Sequence, residues 1–230
     1  MKRPYVRINV AMTADGKIDS VGRRGASISS DADWARVDEM RADSDAVVVG
    51  GRTLLGDDPH LNVKSPELRA ARQAHGLPEN PAKVGVVSIA ELRLDSRFLT
   101  SGPARRLLYT TARTAPEHIA RLTAAGAEVF ILGAEQVDLR AAMASLLELG
   151  MRQVMVEGGG TLIAEVLRLD LADELTLYLA PRIFGGASAP TLADGPGFAP
   201  DGAPRLVLDS HEVLDPQGGL LLHYRIQHKE

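Results

Sequence analysis

Apolar residues in this chain fall into short continuous runs that alternate with longer segments of helical spacing, a pattern of strands interleaved with helices. Tyr5 to Met12 is predicted as a first strand, with Val6, Ile8 and Val10 on one face and Arg7 and Asn9 on the other. Ala14-Asp15-Gly16-Lys17 is a turn, followed by a Gly/Arg/Ser-rich loop from Gly22 to Ser29. Ser30-Asp31-Ala32-Asp33 has the form of a capping box, and the helix it opens should carry Trp34, Val37 and Met40 or Arg41 along one stripe. Ala46 to Val49 is a continuously apolar strand, and Arg52 to Gly56 is a helical turn stopped near Pro59. Lys83 to Ser88, Arg106 to Thr110 and Glu128 to Leu132 are expected as three more buried strands, with a helix over Pro116 to Ala125 before the last. Ser65 to Pro81 is expected as a helical insertion or a mobile loop.

Further along, Asp138 caps a helix whose Leu139, Ala142, Met143 and Leu146 share a face and which stops at Gly150. Gln153 to Val156 is a buried strand, then come Glu157-Gly158-Gly159-Gly160-Thr161 and a helix through Arg168. Strands at Glu174 to Ala180, Arg205 to Leu208 and Leu220 to Ile226 close the chain. The alternation implies an α/β fold: a mostly parallel central sheet with helices on both faces. The last two strands, joined without a helix, imply an antiparallel C-terminal edge.

Composition narrows the function. With 230 residues and 45% hydrophobic positions, a single domain over residues 1–230 with a sizeable core is expected. A net charge of −4 gives no electrostatic case for a nucleic-acid partner. The absence of cysteine excludes disulfides, thiol nucleophiles and cysteine-bound metals. The six histidines lack metal spacing, so no metal site is expected. No apolar run is long enough for a membrane span, and no signal peptide is legible, so a cytoplasmic location is expected.

Two glycine-rich openings carry the candidate chemistry. After a buried strand, Glu157-Gly158-Gly159-Gly160-Thr161 lets backbone approach a ligand without Cβ obstruction, and the amides of the following helix favour a phosphate. A ligand-free tight turn is the plainer alternative. Gly50-Gly51-Arg52-Thr53-Leu54-Leu55-Gly56-Asp57-Asp58-Pro59 gives a second opening, where Thr53 and Asp57 either face a ligand or merely cap a short helix. Two such openings on one sheet suggest a shared dinucleotide site. Arg41 reads as a solvated residue at a helix end, and Lys64 as a surface lysine.

Taken together, Gly50 to Leu61 and Val156 to Leu162 resemble the two motifs of the reductase domain of riboflavin biosynthesis, a family with a dihydrofolate-reductase-like fold. Asp173-Glu174-Leu175, Ala180-Pro181-Arg182-Ile183-Phe184-Gly185-Gly186 and Ala11 to Ile18 add to the likeness, which runs in order from about Asn9 to Gly186. The resemblance implies NADPH-dependent reduction of the ribosyl group of a ribosylamino-pyrimidine 5′-phosphate to ribityl. It implies that Ala11, Thr53, Asp57, Ser88, Gly158, Gly159, Gly160 and Thr161 line the cofactor. Ser29, Arg41, Leu61, Lys64 and Glu157 would line the substrate, with Arg41 and Lys64 on its phosphate and Glu157 or Asp57 as the orienting or protonating group. A stand-alone, homodimeric reductase is expected, the dimer also because Leu206 to Leu208 and Leu220 to Leu222 would leave an apolar sheet edge. A reductase of this fold acting on a pterin, a non-catalytic nucleotide-binding protein and, more weakly, a sugar-phosphate transferase remain open at this point.

Overall fold

The computed structural model describes residues 2–228. Nine strands carry the chain: β1 (Tyr5–Thr13), β2 (Ala46–Gly50), β3 (Ala82–Val86), β4 (Arg106–Thr110), β5 (Glu128–Ile131), β6 (Gln153–Val156), β7 (Glu174–Ala180), β8 (Arg205–Val213) and β9 (Leu220–Gln227). Between them lie α1 (Asp31–Ala42), α2 (Pro66–Ala74), α3 (Arg97–Thr100), α4 (Pro116–Ala124), α5 (Leu139–Glu148) and α6 (Gly160–Arg168). A π-helical turn, Thr53–Asp57, follows β2. The strands form one sheet of order β5-β4-β3-β2-β6-β1-β7-β9-β8. β2 with β3, β3 with β4, β4 with β5, and β1 with β7 pair in parallel. β9 runs antiparallel to both β7 and β8, as the absence of a helix between the last strands predicts.

Contacts divide the chain into two compact units, residues 2–4 with 38–155, and residues 5–37 with 156–228. In the first, Val47, Val48, Val84, Leu107 and Leu108 are fully buried, so β2, β3 and β4 are covered on both faces as their apolar runs require. β5 departs from expectation. It lies at the end of the sheet and none of its residues is fully buried, with Ile131 52% exposed. Its apolar letters match an interior strand, but edge position is a matter of topology that four residues do not encode. The Tyr109 and Phe130 rings meet at 5.2 Å, which covers the inner side of this edge. Residues 66–74, left open between helix and loop, are helical, and Ser65 caps them by accepting from the Leu68 N–H at 3.1 Å.

Arg72 of α2 is buried and donates to the carbonyls of Ala42 at 2.5 Å, Ser44 at 2.8 Å and Pro78 at 2.9 Å. It thereby satisfies the carbonyl of Ala42, the last residue of α1, which has no intrahelical partner. Asp45 works on the adjoining turn. Its carboxylate accepts the N–H groups of Arg152 and Gln153, its own N–H donates to the Gln153 carbonyl, and its carbonyl accepts from Ala82.

In the second unit, Val6, Ile8, Leu175, Leu177 and Leu221 are buried, and α6 contributes Leu162, Ile163, Val166 and Leu167. β1 and β7 are locked at their starts by Asp173, whose carboxylate accepts the Val6 N–H at 2.7 Å. β9 is interior, between β7 and β8, so Leu220 to Leu222 do not form an edge. The edge belongs to β8 alone, where Leu206, Leu208 and Val213 are exposed.

Helix α1 corrects the predicted stripe. The Ser30 cap is present, with its hydroxyl accepting from the Asp33 N–H at 3.3 Å. Trp34, however, is exposed, and the buried positions are Asp33, Val37, Asp38, Arg41 and Ala42. Val37 and Arg41 lie on the buried side as the spacing predicts, and Asp33 takes the place expected for Trp34. Asp33 pairs with Arg36 at 2.6 Å, and Arg36 also reaches Asn9 Oδ1 at 2.7 Å. A hydrophobicity pattern cannot report a stripe made of paired charges.

Candidate active site

In the first unit the opening after β2 is shaped by packing. A Cβ on Gly51 would come to 3.0 Å from the Val87 side chain, which would have to give way by a few tenths of an ångström. Leu54 drives the π turn into the core, leaving Thr53 half-buried and Leu55, Gly56 and Asp57 exposed. The turn has no side-chain cap at its N-terminal residue, Arg52, and the neighbouring Asp58 serves another helix. At φ 45°, Asp58 turns its carboxylate onto the N–H groups of Arg97 at 2.9 Å and Phe98 at 3.2 Å, capping α3. Arg97 in turn donates to the Asp57 carbonyl at 2.7 Å. Ser88, past β3, is half-buried, and its carbonyl accepts from the hydroxyls of Thr110 and Thr111.

The segment after Pro59 is held from beneath by buried side chains. The Arg41 guanidinium donates to the Asn62 carbonyl at 3.1 Å. Asp38 accepts the N–H groups of Lys64 at 2.6 Å and Ser65 at 2.7 Å, and Asn80 accepts that of Val63 at 2.9 Å. Leu61 is buried with a left-handed φ of 55°. Arg41 is therefore not the solvated helix-end residue expected from its position; only 7% of it is exposed. Lys64 does lie on the surface.

Sequence reading missed Lys83. It is fully buried on β3 and donates to the carbonyl and hydroxyl of Ser101, with no carboxylate hydrogen-bonded to it in that pairing. A lysine inside an apolar run reads as a strand residue of the polar face, and only topology shows that both faces are covered. His60 sits near the same cations: burial first, then Arg97 and Lys83, lower its pKa from the ordinary value.

In the second unit, Ala11 is half-buried on β1 and in register with Tyr178 of β7. Ser29 is half-buried beside the buried Ile28. Glu157 is half-buried at the end of β6. The three glycines after it have different reasons to be glycine. Gly158 has φ 116°, a conformation that side chains disfavour, and a Cβ there would meet open space. Gly159 occupies the N-cap of α6 in an extended conformation open to any residue, and no side chain caps the helix. Gly160 is needed for packing, since a Cβ would strike the Thr191 carbonyl. The 191–194 loop is fixed there by an Asp194 N–H to Gly160 carbonyl bond at 3.2 Å. Thr161 is exposed in the first turn of α6. Asp15 joins the first turn to the Ala180–Gly186 segment, accepting from Thr13 at 2.5 Å, Phe184 at 3.2 Å and Gly185 at 2.7 Å. Among the described residues no group of three or more His, Asp or Glu is placed to hold a metal ion, and no helix is long and apolar enough to cross a membrane.

The model of the RibD C-terminal domain family matches residues 4–218. A 2,5-diamino-6-ribosylamino-4(3H)-pyrimidinone 5′-phosphate reductase from Archaeoglobus fulgidus is 44% identical over 196 residues, 85% of this chain and 89% of that protein. Among solved structures, a pyrimidine reductase-like protein from Corynebacterium diphtheriae superposes with a TM-score of 0.84 at 20% identity, covering 98% of this chain and 93% of that one. Acinetobacter baumannii RibD superposes with a TM-score of 0.77 at 25% identity, covering 98% of this chain and 58% of that longer one.

Burial, then the nearby Arg106, pull the Lys83 ammonium from 10.5 to about 8, against partial support from Asp58. Above about pH 8 the folded protein has released a proton that the unfolded chain retains until about 10.4, so this group makes stability rise with pH across that window. Lys83→Met should abolish that rise, which amounts to on the order of 2 kcal/mol between pH 7.5 and 9.5. Urea unfolding of both proteins at the two pH values checks this, and an equal rise in the variant would assign the effect to another group.

Proposed function

The chain belongs to the RibD C-terminal domain family, and from that premise we propose that it is a riboflavin-biosynthesis reductase. It reduces the ribosyl group of 2,5-diamino-6-ribosylamino-4(3H)-pyrimidinone 5′-phosphate to ribityl, with NADPH as reductant. The diaminopyrimidinone form is preferred over the uracil form because the Archaeoglobus fulgidus relative is named for it at 44% identity. The observation that carries the reading is α6. Helices α2 and α5 are capped by their own Ser65 and Asp138, whereas α6 starts at glycines and has no side-chain cap. Its first amides suit the phosphates of a dinucleotide, whose approach Gly158 and Gly159 leave open.

NADPH, when bound, supplies the hydride. Gly158, Gly159, Gly160 and Thr161 would hold its pyrophosphate, with Ala11, Thr53, Asp57 and Ser88 as the other cofactor contacts. Ser29, Arg41, Leu61, Lys64 and Glu157 would bind the substrate. The ribosylamine opens to an imine at C1′. C1′ accepts the hydride, the C=N electron pair passes to nitrogen, and that nitrogen takes a proton. Glu157 and Asp57 are the candidates to hold or relay the proton. Lys64 is suited to the substrate phosphate because its cation is exposed while its backbone is fixed by Asp38. Arg41, tied to Asn62, would act on the phosphate from a preset position.

A homodimer is proposed through β8, whose exposed Leu206, Leu208 and Val213 make an unpaired apolar edge. Light scattering should give twice 24.6 kDa, and a mass of 24.6 kDa at working concentration removes the proposal.

Gly159→Val should keep the fold, because its φ of −74° suits a side chain, and should weaken NADPH binding at least tenfold. Fluorescence titration of the two proteins decides this; equal affinities would take the pyrophosphate away from α6. In a coupled assay following NADPH absorbance, Lys64→Ala should lower kcat/KM for the phosphorylated substrate about ten- to a hundredfold, the loss of one charge-assisted contact of roughly 1.5–3 kcal/mol. It should leave NADPH affinity unchanged and scarcely alter an already poor dephosphorylated substrate. The same variant of Arg41 should also cost stability, since that side chain is buried, so Lys64 is the cleaner test. No oxidation of NADPH by wild type with this substrate would refute the assignment and leave the pterin or non-catalytic alternatives.

A further inference from the structure

Behind Ala11 and Ser29 lies a buried phenol–carboxylate pair that the proposed chemistry does not use. Tyr178 of β7 is 2% exposed and stands in register with Ala11. Its hydroxyl donates to Asp215 Oδ2 at 2.6 Å. Asp215 is itself buried, and its second oxygen accepts the N–H groups of Gln217 at 3.0 Å and Gly219 at 3.1 Å. Gly219 must be glycine, because a Cβ would run into the Tyr178 ring and the Asp215 carboxylate. The Ser30 hydroxyl reaches both groups while it also caps α1. The cluster of Ile28, Tyr178 and Ala180 packs with Ala11, Phe184 and Leu214, so one ring supports residues on both sides of Ser29 and on β1.

The pair does not donate protons at neutral pH. Burial, then the bond to Asp215, raise the Tyr178 phenol, and that bond together with the Gly219 N–H keeps the Asp215 carboxyl below its usual range. Every polar atom in it has a defined partner, which makes it rigid rather than reactive.

We propose that Tyr178 and Asp215 are positioning residues that fix Ala11 on the cofactor side and Ser29, through Ile28 and Ser30, on the substrate side. The inference rests on the reading of Ala11 and Ser29 as ligand contacts. Hydride transfer requires C1′ within about 3–3.5 Å of its donor, and displacement by about an ångström can cost a hundredfold in rate. A ring wedged between the two segments, anchored by a carboxylate, sets that separation without touching either ligand.

Tyr178→Phe removes one oxygen and keeps the ring, and Asp215→Asn keeps the shape but not the charge. Thr176→Val serves as control, since it removes a hydrogen bond to His223 from the same strand. For Tyr178→Phe, kcat should fall about tenfold or more with NADPH affinity within twofold of wild type. The kinetic isotope effect from deuterated NADPH should rise toward its intrinsic value. In ligand-free protein, amide exchange at Ser29 and Ser30 should quicken about tenfold. Asp215→Asn should act in the same direction, and Thr176→Val should change none of the three. The inference is overturned if Tyr178→Phe turns over as wild type does, or if the control loses as much. If wild type itself fails to reduce the pyrimidinone phosphate, the functional reading falls; faster amide exchange at Ser29 in the variant alone would still establish the mechanical link.

Discussion

Backbone amides in connecting segments have no ladder to join, and burying them unpaired costs about as much as losing a hydrogen bond. In this chain aspartates meet that constraint, most of them by accepting two N–H groups at once. Asp38 takes Lys64 and Ser65, Asp45 takes Arg152 and Gln153, and Asp58 takes Arg97 and Phe98. Asp15 takes Phe184 and Gly185, Asp138 takes Arg140 and Ala141, and Asp215 takes Gln217 and Gly219. A carboxylate oxygen is a stronger acceptor than a neutral one, so each contact also fixes geometry. Loops that would otherwise be mobile become rigid enough to carry a site.

This device explains what could be read in advance. Strands and helices were legible because apolar runs and 3.6-residue spacing reflect burial of whole faces, and β2, β4, α5 and the antiparallel end follow from them. Two features were not. β5 has the composition of an interior strand but ends the sheet, and α1 buries Asp33, Asp38 and Arg41 where the pattern pointed to Trp34. For α1 the deciding partners are distant in sequence: Asn9 for Arg36, Asn62 for Arg41, residues 64 and 65 for Asp38. Hydrophobicity reports the solvent preference of a residue alone, and a paired charge no longer has that preference.

The glycine turn was legible as a turn, not as three separate requirements. Backbone conformation demands glycine at residue 158, close packing against Thr191 demands it at 160, and at 159 the backbone is extended and open to any residue. A triplet in a sequence cannot be divided this way, since the loop at 191–194 is some thirty residues downstream. The aspartate pair is similar. Asp57 and Asp58 are chemically equal on paper, yet Asp58 is committed to α3 while the Asp57 side chain faces outward.

Comparison among the helices of this one chain gives the last step. A missing N-cap typically costs about 1 kcal/mol. The fold avoids that cost at α1, α2 and α5 with Ser30, Ser65 and Asp138, each correctly spaced to accept a first-turn amide. At α6 it places glycine, although the extended backbone of residue 159 would accept serine or aspartate. A serine or aspartate there would satisfy the helix and, in doing so, occupy the amides that an anionic ligand needs. An aspartate would also oppose its charge. Among the described residues α4, which begins at Pro116 after Ala115, also lacks a side-chain cap, but only α6 combines an uncapped start with glycines, at the turn where the family motif lies. Binding of a phosphate there, as proposed, would supply the missing acceptor and complete α6 as Ser65 completes α2.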